Sequence, residues 1–202
     1  MHERRIYKVL RRDVWEQVKH MKTAIVFFTD GFEECEGLLV VDLLRRAEVN
    51  VITASIMGRT EIKSSHGITL QADARVEEVD YSSADMIVLP GGLPGTTYLG
   101  ENDIVKEQCM AFAKDKIVAA ICAAPSVLAS LGLLEGKPAT CHPAFEGKMA
   151  GAIVTQESVS VTGNIITGQG LGAGVPFALK LVETLVDKET ADKIATAISF
   201  KG

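Results

Sequence analysis

Short apolar runs alternate along the chain with longer stretches in which apolar positions return every three to four residues, a rhythm that predicts strands and helices in turn. Thr23 to Phe28 (Thr-Ala-Ile-Val-Phe-Phe) has the length and β-branched content of a buried strand, and Asp30 and Gly31 supply a turn after it. From Glu33 to Ala47 the residues Leu39, Val40, Leu43 and Leu44 share one helical face, with Arg45 and Arg46 near the end where cations suit the helix dipole. Val49 to Ser55 reads as a second strand, so the three elements form a βαβ unit with parallel strands.

The rhythm continues. Glu61 to Leu70 reads as a small hairpin turning at Ser65-His66-Gly67, and Met86 to Leu89 as a buried strand ending in Pro90-Gly91-Gly92. Ile104 to Ala113 is helical, Ile117 to Ile121 is a strand, and the small residues after Cys122, with Pro125 in a first-turn position, start a helix. Ala139-Thr140-Cys141-His142-Pro143 reads as a strand running into a loop. Ala152 to Val154, Val159 to Thr162 and Ile165 to Thr167 read as short strands, the last two joined at Gly163-Asn164. Helices are expected from Val175 to Val186 and from Lys188 to Ser199. No linker or repeat interrupts this alternation. The fold class expected is a doubly wound, mostly parallel α/β sandwich, one domain over residues 21–202, with its site at the carboxyl ends of the strands.

Length and composition agree. The 202 residues, 47% of them hydrophobic, suffice for a sizeable core in one domain. No apolar run reaches the roughly 20 residues that cross a bilayer, so a soluble protein is expected. A net charge of −5 argues against nucleic-acid and membrane-surface partners. Residues 1–20 differ from the rest, with six Lys/Arg against three Asp/Glu. They lack the apolar segment of a secretory signal and read as a peripheral extension, or as sequence ahead of a natural start at Met21. Cys35, Cys109, Cys122 and Cys141 show neither zinc spacing nor a CxxC pair, so reduced thiols in the cytoplasm, with no metal and no cofactor, are expected.

The chemistry gathers at three strand ends. Cys122 sits where a strand turns into a helix, where unpaired backbone N–H groups and the helix dipole favour thiolate; a small buried cysteine under a helix start is the alternative. Glu33, Glu34 and Glu36 follow the first strand, and spacing alone does not say which of them would reach the thiol as a proton carrier. Gly91 and Gly92 let a backbone N–H approach a reacting centre and, with the Ala123 amide, form an oxyanion hole. His142 is a candidate base or proton donor, and Cys141 beside it would face the other side of the strand. Gly168-Gln169-Gly170-Leu171-Gly172-Ala173-Gly174 departs from the dinucleotide fingerprint and is expected to be a close-packed turn rather than a phosphate cradle.

Taken in order, Phe32-Glu33-Glu34-Cys35-Glu36, Leu89-Pro90-Gly91-Gly92, Ala119-Ala120-Ile121-Cys122-Ala123-Ala124-Pro125 and Cys141-His142-Pro143 resemble the DJ-1/ThiJ/PfpI superfamily, from about Met21 onward. The similarity is greatest to the branch of the parkinsonism-associated deglycase and its bacterial ThiJ-like relatives. The resemblance implies a flavodoxin-like, class I glutamine amidotransferase-like fold and a homodimer. It implies Cys122 as an oxidisable nucleophile, Glu36 as the protonated acid at its sulfur, His142 as a nearby histidine, and Gly92 with Ala123 as oxyanion amides. It also implies a cofactor-free activity on small α-oxoaldehydes (methylglyoxal to lactate), with protein deglycation as an extension, or a redox-sensing stress or chaperone role. Peptidase-like relatives carry a His after the nucleophile; Ala123 there makes a PfpI-type cysteine peptidase the weakest reading. Two further departures are His66, where the nearest branch often has Arg by the dimer contact, and Gly170-Leu171-Gly172 in place of Gly-Pro-Gly.

Overall fold

The computed structural model describes residues 21–201. The expectations for residues 1–20 lie outside the described residues. In chain order the elements are β1 (Thr23–Phe28), α1 (Glu34–Arg46), β2 (Asn50–Ser55), β3 (Glu61–Lys63), β4 (Thr69–Gln71), β5 (Ala74–Arg75), β6 (Met86–Leu89), α2 (Gly95–Glu101), α3 (Asp103–Phe112), β7 (Ile117–Ile121), α4 (Pro125–Ser130), β8 (Pro138–Ala139), β9 (Ile153–Val154), β10 (Val159–Thr162), β11 (Ile165–Gly168), α5 (Gly174–Leu185) and α6 (Lys188–Ala197). Short 3-10 turns follow β5, β8 and β11.

The central sheet has seven strands in the order β10-β11-β7-β6-β1-β2-β5. Every pairing is parallel except β10 with β11, which the Gly163-Asn164 turn joins as a hairpin. Val26 lies opposite Val88, Val88 opposite Ala119 and Ala119 opposite Ile166, so β1, β6, β7 and β11 end side by side. The single-domain α/β architecture is the one the sequence pattern predicts.

Strands buried on both faces explain the unbroken apolar runs. Alternate residues of β1 serve two cores. Ala24, Val26 and Phe28 pack with Val40, Leu43 and Leu44 of α1 and with Phe177, Leu181 and Val182 of α5. Ile25 and Phe27 face Leu99, Val105, Phe112 and Leu128 from α2, α3 and α4. Each such side chain removed from water contributes about 1.5–3 kcal/mol, which holds the helices rigidly over the sheet.

Two local expectations change. The sequence pattern does not predict α2, because Gly-Thr-Thr-Tyr-Leu-Gly-Glu combines two glycines with two β-branched residues. It is held from outside, by the Thr96 N–H on the Gly92 carbonyl at 2.9 Å and by fully buried Leu99. The strand expected through Cys141 and His142 stops at Ala139: β8 pairs only with β9, in a separate two-stranded sheet. Face alternation therefore does not govern Cys141 and His142. Cys141 is buried in the core, whereas His142 is exposed and begins a 3-10 turn.

Candidate active site

The ends of β1, β6 and β7, adjacent in the sheet, bring three chain segments together. After β7 the chain turns sharply, and Cys122 adopts φ of 64°, a conformation that costs a non-glycine residue about 1–3 kcal/mol. Two backbone bonds hold it there: the Cys122 N–H donates to the Gly168 carbonyl at 2.9 Å, and its carbonyl accepts from the His142 N–H at 2.8 Å. The sulfur is partly buried, and the N–H groups of Gly92 and Ala123 are directed at it.

The structure separates the three glutamates. Glu33 caps α1, its Oε2 accepting from the Glu36 N–H at 2.7 Å. Glu34 turns to the β3–β4 hairpin, where its oxygens meet Ser65 Oγ at 3.1 Å and His66 Nδ1 at 2.9 Å. Glu36 points inward, is 1% exposed, and lies within hydrogen-bonding reach of the Cys122 thiol. Its Oε2 accepts from the Gly91 N–H at 3.0 Å, while Oε1 has no nitrogen or oxygen partner. A methyl group on Gly91 would stand 2.6 Å from both Cys122 Cβ and Glu36 Oε2, so only glycine allows this approach.

Burial pushes the Glu36 carboxyl up to about 7, assisted by the charge of Glu33 and opposed by Cys122 and the Gly91 amide. Burial also pushes the Cys122 thiol up to about 12, assisted by the Glu36 charge and hydrogen bond, against the lowering effect of the Ala123 and Gly92 amides. Burial beside an acid works against the thiolate expected from a helix start, and α4, six residues long and beginning at Pro125, offers only a short dipole, so it is the Gly92 and Ala123 amides that favour charge on the sulfur. A negative charge on either group raises the other, so the pair loses its first proton as a unit. The resulting single charge is met by two amides if it lies on sulfur and by one if it lies on the carboxylate.

His142 stands at the open side. Its Nδ1 accepts from the Ala144 N–H at 3.2 Å, which places the proton of the neutral ring on Nε2. A methyl on Gly170 would lie 3.6 Å from His142 Cδ2 and 4.0 Å from Cys122 Sγ, so the Nε2 edge and the sulfur border one space. The Gly168–Gly174 segment is close-packed: a methyl on Gly168 would meet Phe177 at 2.9 Å, and one on Gly174 would meet Leu39 at 2.8 Å. What sequence reasoning misses is the bracing by Glu33; its place three residues before Glu36, at a helix start, is a capping signal.

Among the described residues, the donor atoms of Glu33, Glu34 and His66 gather within 4.8 Å of one another, a spacing that could hold a metal ion. Glu34 and His66 are already hydrogen-bonded to each other, tying α1 to the hairpin, and no ligand role is assigned to the three. No helix among the described residues is long and apolar enough to cross a membrane.

The sequence model of the DJ-1/PfpI family matches residues 22–184, most of the described chain. The chain belongs to the DJ-1/PfpI family. Among DJ-1 relatives, the protein dj-1beta of Drosophila melanogaster is 34% identical over 180 residues, covering 88% of this chain and 96% of the relative. The glutathione-independent glyoxalase DJR-1.2 of Caenorhabditis elegans is 31% identical over 178 residues, covering 86% of this chain and 94% of the relative. The solved structure of oxidized Toxoplasma gondii DJ-1 superposes with a TM-score of 0.86 at 32% identity, covering 90% of this chain and all of that one. The DJ-1 fold and the position of its sheet are therefore shared.

Proposed function

We propose that this chain is a cofactor-independent enzyme that converts small α-oxoaldehydes to 2-hydroxy acids, with Cys122 as nucleophile, Glu36 and His142 as proton carriers, and Gly91, Gly92 and Ala123 shaping the pocket. The observation that carries this reading is the buried Glu36 carboxyl beside Cys122, at a sulfur faced by two amides. A relative with a glutathione-independent glyoxalase name supports the reaction class.

The Cys122 thiolate attacks the aldehyde carbon, a C–S bond forms, and the carbonyl electron pair moves to an oxygen near the Gly92 and Ala123 amides. Glu36 protonates that oxygen, giving a hemithioacetal. Glu36, now a carboxylate, takes the proton from the former aldehyde carbon and returns it to the neighbouring carbon, while the hydroxyl proton on the first carbon passes to the oxygen of the second, relayed at the His142 Nε2 edge. This internal transfer oxidises the first carbon to a thioester and reduces the second to an alcohol, with no outside electron acceptor. Water then attacks the thioester and gives one proton back to the Glu36 carboxylate, the C–S bond breaks, the thiolate leaves and the 2-hydroxy acid is released. Early adducts of such aldehydes on protein amines and thiols are a second substrate set for the same nucleophile.

The protein acts in this reading as a homodimer in the cytoplasm, supported by its family and by four unpaired cysteines. The deciding assay is lactate release from methylglyoxal, without glutathione or metal, by wild type, Cys122→Ser and Glu36→Gln side by side. Full activity in Cys122→Ser dismisses the mechanism. A second reading, redox sensing, is favoured by the same two amides, which can hold the oxygens of a Cys122 sulfinate. Peroxide titration with mass spectrometry tests it: no preference for Cys122 over Cys35, Cys109 and Cys141 removes it.

A further inference from the structure

We infer that Glu33 is a positioning residue for the thiol and carboxyl pair, capping the helix turn that carries Glu36 and setting its own negative charge beside the Glu36 carboxyl. The inference rests on the reading of Cys122 and Glu36 as the working pair.

Three hydrogen bonds close a ring around the acid. Glu33 Oε2 accepts from the Glu36 N–H at 2.7 Å, the Glu33 N–H donates to the Gly91 carbonyl at 2.9 Å, and the Gly91 N–H donates to Glu36 Oε2 at 3.0 Å. The ring joins the first turn of α1 to the end of β6 and holds the Glu36 backbone beside the Gly91 amide that its carboxyl accepts from. The contact extends to the oxyanion side: a methyl on Gly92 would fall 2.3 Å from the Glu33 nitrogen, so Glu33 backs the residue whose amide faces the sulfur. Without the Glu33 carboxylate, the Glu36 N–H would be an unpaired donor at a helix start.

The charge matters as well as the bonds. The groups acting on the Glu36 carboxyl are the Cys122 thiol from the β7 turn, the Gly91 amide from the end of β6, and the Glu33 carboxylate from its own helix, while His142 stands by Gly170 at the sulfur. Glu33 is the like charge in this set. A like charge favours the protonated form of its neighbours, so Glu33 delays loss of the first proton from the pair to higher pH. Glu34, one residue on, is directed away to Ser65 and His66 and does not act on Glu36 in this way.

The test compares Glu33→Gln, which keeps an oxygen for the Glu36 N–H but loses the charge, with Glu33→Asp, which keeps the charge, and Glu34→Gln. The readout is the rate of iodoacetamide alkylation at Cys122 against pH, resolved from Cys35 by peptide mass spectrometry, because only thiolate reacts. Thermal melting confirms that each variant is folded. Glu33→Gln should move the inflection that Glu36 ionisation imposes on the Cys122 profile to lower pH, so that alkylation on the plateau above it falls about threefold, with Glu33→Asp and Glu34→Gln close to wild type. An unmoved Glu33→Gln profile, or an equal shift in Glu34→Gln, overturns the inference. Alkylation needs no aldehyde turnover, so a wild type without glyoxalase activity would defeat the proposed reaction and leave the role of Glu33 to be decided by this profile.

Discussion

Gly91 donates its backbone N–H to Oε2 of Glu36 across 3.0 Å, joining the end of β6 to the first turn of α1. Any side chain at position 91 would enter the space between Cys122 Cβ and Glu36 Oε2, each 2.6 Å from the added carbon. Gly91→Ala is expected to cost about 1–3 kcal/mol in urea denaturation, the range for overpacking a tight interior. It should also lower kcat for the α-oxoaldehyde by at least about tenfold, because Glu36 and Cys122 must separate.

Glu36→Gln and Cys122→Ser should each reduce methylglyoxal turnover by about a hundredfold or more, as expected for loss of a proton carrier or a nucleophile. Glu36→Asp should recover only part, since the shorter side chain draws the carboxyl back from the sulfur. Single-turnover measurement of lactate separates this chemical loss from weaker substrate binding.

Stability should fall with rising pH through the range in which Glu36 ionises. Folding raises this carboxyl from 4.5 to about 7, so the folded state holds the proton that the unfolded chain releases. The stability that the protonated form contributes is complete below pH 4.5 and lost as pH rises through about 7. Each tenfold difference in proton affinity between the folded and unfolded carboxyl corresponds to about 1.4 kcal/mol. Glu36→Gln, neutral throughout, should lose less between pH 5 and 8 in urea denaturation, roughly the window set by these values.

Glu34 behaves in the opposite sense. Burial raises its carboxyl, but hydrogen bonds from its own amide, His66, Ser64 and Ser65 outweigh burial and hold it below the usual range. Its contribution to stability is present above the unfolded value and is lost as pH falls. His66→Ala should therefore move the acid-unfolding midpoint to higher pH, and the effect should disappear in a Glu34→Gln background.

Phe32 stacks on Phe28 with ring centroids 4.4 Å apart, directly before the cap of α1. A methyl on Gly37 would come 2.7 Å from the Phe32 ring, which shows how closely the ring seats the helix. Phe32→Ala is expected to cost about 3–5 kcal/mol and to reduce turnover beyond what stability explains, because the helix carrying Glu36 loses its seat. Thermal melting and kcat measured on the folded fraction distinguish the two effects.

The sequence by itself determined the alternation of strands and helices and the parallel core, because parallel strands buried on both faces leave long apolar runs, and the family was legible in the four motifs around Glu36, Gly91, Cys122 and His142. It also placed Cys122 at a strand-to-helix turn, since Pro125 marks the helix start. Only the tertiary structure decided which of Glu33, Glu34 and Glu36 meets the thiol. Successive residues of a helix point about 100° apart, and the choice depends on what β6 and the β3–β4 hairpin place opposite each one. The ionisation of Cys122 was likewise not legible locally. A helix start and two facing amides favour thiolate, burial beside a carboxyl favours the proton, and both the amides and the burial are properties of the assembled sheet ends rather than of any segment.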